Sequence, residues 1–61
     1  MIDVFLHYED KEYIDWFPVL PNYNDSIYIE KKGYFKIINI VWQRAKSKKL
    51  YYEPHIFLEK K

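Results

Sequence analysis

Ile27-Tyr28-Ile29-Glu30-Lys31-Lys32-Gly33-Tyr34-Phe35-Lys36-Ile37-Ile38-Asn39-Ile40-Val41-Trp42-Gln43 is the stretch that decides the fold. Residues 27–30 alternate apolar and polar, the period of a half-buried strand. Lys31-Lys32-Gly33 holds the only glycine of the chain. Glycine accepts the positive φ that tight hairpin turns require, so residues 27–30 and 34–43 are expected to form a hairpin. Within 34–43, Phe35 and Ile37 share one parity, while Ile40 and Trp42 share the other. A strand with both faces buried satisfies this pattern. So does a strand whose phase slips near Ile38-Asn39 through a β-bulge. A helix over Phe35 to Lys49 competes, because Ile37, Ile38, Val41, Trp42 and Ala45 also fit a 3.6-residue period. Ile37, Ile38, Ile40 and Val41 are β-branched, which favours the strand.

Toward the N-terminus, Pro21-Asn22-Tyr23-Asn24-Asp25-Ser26 is dense in turn formers and reads as a loop. Residues 13–20 are bulky but aperiodic, and Pro18 lacks the donor a central strand needs. They read as a short strand or an irregular arm laying Trp16, Phe17 and Leu20 over the core. Residues 2–8 alternate cleanly, with Ile2, Val4, Leu6 and Tyr8 inward and Asp3, Phe5 and His7 outward. Glu9-Asp10-Lys11-Glu12 is a charged tip. Toward the C-terminus, residues 44–49 form a basic loop with room for one helical turn. Leu50 to Glu53 and His55 to Glu59 read as strand on either side of Pro54, which suggests an edge or a kink. Ile56 and Leu58 are expected inside, His55, Phe57 and Glu59 outside, and Lys60-Lys61 in a solvated tail.

Sixty-one residues make one domain, 1–61. So short a chain buries only about 60% of its unfolded surface and needs large side chains to hold together. Seven Tyr, four Phe and two Trp supply them. With no cysteine, disulfides, Cys-ligated zinc and a thiol nucleophile are excluded. Met1 leads directly into Ile2-Asp3-Val4 with no basic segment before an apolar run, so no signal peptide is expected. No apolar run approaches the ~18 residues of a membrane span, and the cytoplasm of the producing or infected cell is the expected location. The net charge of +1 conceals an asymmetry: residues 1–30 hold seven acids and one base (−6), residues 31–61 nine bases and two acids (+7). The two halves either pair across strands or mark a binding face.

The order of these segments resembles a known group. An N-terminal strand, an apolar arm ending in Leu20-Pro21, then Asn24-Asp25 entering Ile27-Tyr28-Ile29, then Gly33-Tyr34-Phe35-Lys36-Ile37, Val41-Trp42 and a terminal strand are similar to small uncharacterised SH3-like β-barrel proteins of bacteria and phages. Asn24 stands where that group usually has glycine, and asparagine tolerates the left-handed conformation such a turn uses. The resemblance implies a mainly all-β fold, a five-stranded SH3-like barrel with the bent strand 34–43 at its centre, and no particular activity.

No catalytic apparatus is visible. The chain has two serines, Ser26 and Ser47, no threonine and no glycine-rich elbow, so a hydrolase nucleophile is not expected. With a single glycine there is no phosphate-cradling loop. Glu9, Asp10 and Glu12 read as solvated turn charges. His7 and His55 lie on the first and last strands, which can be neighbours in such a barrel and so bring both rings to one surface with Glu53 or Glu59 nearby. Two imidazoles and a carboxylate can hold zinc, but ordinary outward-facing strand residues account for both histidines, and neither a metal nor another cofactor is expected. The expected function is non-enzymatic protein binding through Tyr28, Tyr34, Trp42, Tyr51 and Tyr52, residue types enriched at interface hot spots. A homodimer joining acidic to basic halves and a phage or mobile-element inhibitor of a host system are the corresponding settings. The alternative is RNA or single-stranded DNA binding, with Arg44, Lys46, Lys48 and Lys49 on phosphates and aromatics stacking on bases. No membrane partner is expected.

Overall fold

The computed structural model describes residues 2–44 and 52–61. Five strands run through them: β1 (Ile2–Tyr8), β2 (Lys11–Phe17), β3 (Ser26–Ile29), β4 (Gly33–Arg44) and β5 (Tyr52–Lys60). They form one mixed sheet in the order β2-β1-β5-β4-β3, strongly curled into a half-barrel. The all-β expectation stands. The β1–β5 pairing is parallel, with Phe5 opposite His55 and His7 opposite Phe57; the other pairings are antiparallel. Among the described residues no helix is long and apolar enough to cross a membrane.

The concave face holds the core. Val4 and Leu6 of β1, Phe35 and Ile37 of β4, and Ile56 and Leu58 of β5 are buried there. Ile2, Tyr8, Phe17, Leu20, Ile27, Ile29 and Ile40 pack around them. Burying aliphatic and aromatic side chains is the dominant favourable contribution to folding, at roughly 1.5–3 kcal/mol for each. The parity conflict in β4 resolves as a bulge: Ile37 pairs with Leu58, but the next pair is Asn39 with Phe57, leaving Ile38 as the extra residue. The slip returns Ile40 to the concave side after Phe35 and Ile37. Two backbone bonds brace the bend, since Asn24 N–H donates to the Ile37 carbonyl (3.1 Å) and Ile37 N–H to the Asp25 carbonyl (3.0 Å). Asn24 sits at φ 68, the left-handed conformation expected of it.

Several expectations change. Of the two readings of residues 13–20, the strand holds through Phe17 and the irregular arm does not. β2 is a regular edge strand that begins at Lys11 and pairs with β1 along its whole length. Phe17 and Leu20 do pack on the core, whereas Trp16 stands opposite Asp3 on the convex side and is 67% exposed. The central strand is β5, with β4 beside it. Pro54 is tolerated there because the β1–β5 ladder begins one residue later, at His55, so that side of Pro54 is locally an edge. His55 is not exposed: with neighbours on both sides and Phe5 stacked on its ring, it retains 7% exposure. Lys60 is no tail residue but ends β5, its ammonium 5.0 Å above the Phe35 ring. Arg44 closes β4. The helical turn proposed near 44–49 otherwise lies outside the described residues, as do Tyr51, Lys46, Lys48 and Lys49.

The curl shows in one contact. The β1–β2 and β3–β4 turns belong to opposite ends of the strand order, yet Lys32 Nζ donates to Glu9 Oε1 at 2.9 Å. That hydrogen bond holds the Glu9 carboxyl below its ordinary pKa and the Lys32 ammonium above its own. It is the one Lys- or Arg-to-carboxylate pair among the described residues.

Candidate functional site

Of the residues expected to bind a partner, four are described, and all four are exposed: Tyr28, Tyr34, Trp42 and Tyr52. The fold splits them in two. Tyr28 and Tyr34 are a cross-strand pair on the β3–β4 hairpin, their ring centroids 5.0 Å apart. Trp42 and Tyr52 lie on the other side of the sheet, at the end of the β4–β5 ladder, where Trp42 pairs with Pro54 and Arg44 with Tyr52. The Arg44 guanidinium carbon stands 5.6 Å from the Tyr52 ring centroid, a cation–π contact between two exposed side chains.

Trp42 borders a shallow groove of about 370 Å³, together with Leu20, Pro21, Asn22, Tyr23 and Ile40. Local chemistry builds it. Pro18 and Pro21 prevent strand continuation after β2, so the chain leaves the sheet there and packs Leu20 against the core. Asp25 N–H then donates to the Asn22 carbonyl (3.2 Å) and Asn22 N–H to Asp25 Oδ2 (2.9 Å), closing the turn. The Tyr23 hydroxyl donates to Asn39 Oδ1 (3.3 Å), which ties the ring to the bulge. Half-buried Leu20, Pro21 and Ile40 form the base, while Tyr23 and Trp42, 55% and 52% exposed, flank it. In sequence Tyr23 reads only as a loop residue, because the contact that makes it a groove residue, with Asn39, spans sixteen positions.

The convex face carries a different constellation. Parity and register put Phe5, His7, His55 and Phe57 on one side of the parallel β1–β5 pair. Their rings form a ladder: Phe5 stacks on His55 (4.6 Å, 7°), His55 meets His7 (5.0 Å, 33°), and His7 stacks on Phe57 (4.4 Å, 15°). His7 Nε2 and His55 Nδ1 lie 2.8 Å apart in a hydrogen bond. The carboxylate beside them comes from Glu12, directly opposite His7 in the β1–β2 ladder. Its Oε2 is 3.7 Å from His7 Nε2 and 4.0 Å from His55 Nδ1. Glu53 and Glu59, the carboxylates expected near the histidines, are not part of this group. Farther along β2, Ile14 and Trp16 are exposed on the same face at an unpaired sheet edge.

Compared with protein-family models, with curated proteins and with solved structures, the chain matches none of them.

Proposed function

We propose that this chain is a non-enzymatic binding module that takes an extended apolar segment of a partner protein into the groove between Tyr23 and Trp42. The observation that carries this reading is the exposure of a tryptophan and a tyrosine on either side of a base made by Leu20, Pro21 and Ile40. Rigid aromatic walls contribute contact area at little cost in conformational entropy, and such grooves suit proline-containing or other extended segments. Arg44, two residues beyond Trp42 on the same face of β4, adds a preference for a carboxylate flanking that segment. The resemblance to SH3-like barrels belongs to this proposal. So do a cytoplasmic location and a role as a phage or mobile-element inhibitor of a host system, the latter suggested by a Lys-, Ile- and Tyr-rich composition.

Titration of the labelled chain with extended proline-containing peptides, with and without a flanking aspartate, tests the reading by NMR. The expected result is a set of shifts confined to Leu20–Tyr23, Ile40 and Trp42. Trp42→Ala should weaken binding by at least about tenfold, the effect of losing a hot-spot aromatic. Shifts centred on Tyr28 and Tyr34 instead would overturn it. The nucleic-acid alternative rests on Arg44 stacked over Tyr52. It would be established by single-stranded oligonucleotides binding with an affinity that falls steeply with salt, whereas aromatic-centred peptide binding changes little.

A further inference from the structure

The convex cluster points to chemistry that the groove does not use. Three donors of the types that bind borderline divalent metals, two imidazole nitrogens and one carboxylate oxygen, lie within 4.8 Å of one another. We infer that His7, His55 and Glu12 form a binding site for a divalent transition-metal ion of the zinc class. Zinc bonds of about 2.0–2.2 Å to nitrogen and oxygen place tetrahedral ligands about 3.3 Å apart. The three observed separations, 2.8, 3.7 and 4.0 Å, straddle that spacing. The imidazole nitrogens need only part by about half an ångström, and Glu12 close by a little more, for all three to reach one ion.

The site is built in advance. His7 and Glu12 face each other across the shortest kind of hairpin, two residues long, which fixes their register. His55 is held by the Phe5 ring and His7 by the Phe57 ring, so neither imidazole has much rotamer freedom to lose. Access comes from the Glu12 side: its side chain is exposed and opens on a groove of about 500 Å³ that Glu9 and Asp10 also line. Asp10 and Glu12 favour a cation's approach, whereas Glu9 is already paired with Lys32 and Lys11 also lines the groove. Without metal, one imidazole donates its proton to the other across the 2.8 Å contact. With metal, the ion takes that proton's place, and the donating ring carries its proton on the far nitrogen instead. Three ligands leave a fourth position facing the groove, for water or for a donor from outside. Lacking thiolate, the set suits Zn²⁺, Ni²⁺, Co²⁺ and Cu²⁺ better than soft ions, and an N/O donor set suits them better than Ca²⁺ or Mg²⁺.

Calorimetric titration of the full chain with Zn²⁺, and visible absorption with Co²⁺, test the site. One ion should bind per chain with micromolar affinity, and Co²⁺ should show the intense visible bands of a low-coordinate site. The His7 Nε2 and His55 Nδ1 resonances should move with Zn²⁺. Glu12→Gln, at an exposed position, should keep the fold by circular dichroism and weaken Zn²⁺ binding by roughly tenfold or more, at least the loss typical of outer-shell changes. Glu53→Gln should bind like the unmodified chain. His7→Gln should abolish binding; should that variant not fold, Glu12→Gln decides. No saturable one-to-one binding, or unchanged affinity in Glu12→Gln, would overturn the site. The groove at Trp42 is on the opposite face, so either result leaves the peptide reading standing or falling by itself.

Discussion

The two antiparallel hairpins, β1–β2 and β3–β4, solve the same problem with different residues. In β3–β4, Lys32 N–H donates to the Ile29 carbonyl (2.9 Å), and positive φ falls on Lys31 (70°) and Gly33 (97°). Glycine takes the more extreme of the two. In β1–β2 the turn is only two residues long, and both are acids in the left-handed region, Glu9 at φ 54 and Asp10 at φ 60. Asn-Gly is the pair such a turn prefers, and each left-handed L-residue costs about 1–2 kcal/mol before local hydrogen bonding. The strained turn is the one beside His7 and Glu12. Backbone strain is retained where surrounding structure over-determines it, often at functional positions. The difference teaches that the first hairpin keeps a charged tip at the expense of stability, whereas its sister uses glycine.

The largest effect should come from spoiling the relaxed turn. Gly33→Val puts a β-branched residue at φ 97, with its Cβ 3.0 Å from the Lys60 Nζ that sits over Phe35. It should cost about 2 kcal/mol, lowering Tm by roughly 8–16 °C in calorimetry of a domain this small. A loss no greater than that of an exposed strand substitution would mean the turn adapts. Relieving the strained turn should act in the opposite sense and more weakly. Asp10→Gly should raise stability by roughly 0.5–1 kcal/mol in urea unfolding with an unchanged m-value. A destabilised Asp10→Gly variant would show that Asp10 is held by more than its backbone.

The smallest effect concerns the Glu9–Lys32 contact that joins the two tips. Because the folded Glu9 carboxyl titrates below its ordinary value, its contribution is present above the unfolded pKa and disappears as pH falls through the folded one. Glu9→Gln should therefore be slightly less stable than the parent at neutral pH and equal to it in strong acid. The gap should shrink in high salt, as expected of an exposed pair. A gap that persists unchanged in acid would assign the effect to packing rather than charge.

Much of this molecule follows from residue order alone. Alternation over 2–8 put Val4 and Leu6 inside, Gly33 located the second turn, and the parity break at Ile38-Asn39 located the bulge, because side-chain period and φ are local properties. The same locality explains what was missed. The period of 11–17 is weak because an edge strand exposes both faces, so residues 13–20 leave strand and arm both open and give no sign that Trp16 faces outward. Glu9 and Asp10 carry no turn signature, so the shortness of the first hairpin was not legible.

What the sequence by itself determined is a mainly β chain, the hairpin at Gly33, the break of phase near Ile38-Asn39 and the membership of most of its core. Only the tertiary structure decided the strand order beyond the β3–β4 hairpin and which pairing is parallel. Parallel pairing of β1 with β5 joins residues 48 positions apart, His7 with His55, and antiparallel pairing with β2 supplies Glu12 rather than Glu53 or Glu59. It also parted the aromatic residues onto two faces and set Tyr23 across from Trp42. Strand order and sheet curl depend on contacts between distant segments, chosen by how the whole apolar surface is covered, and no local pattern of residues encodes that choice.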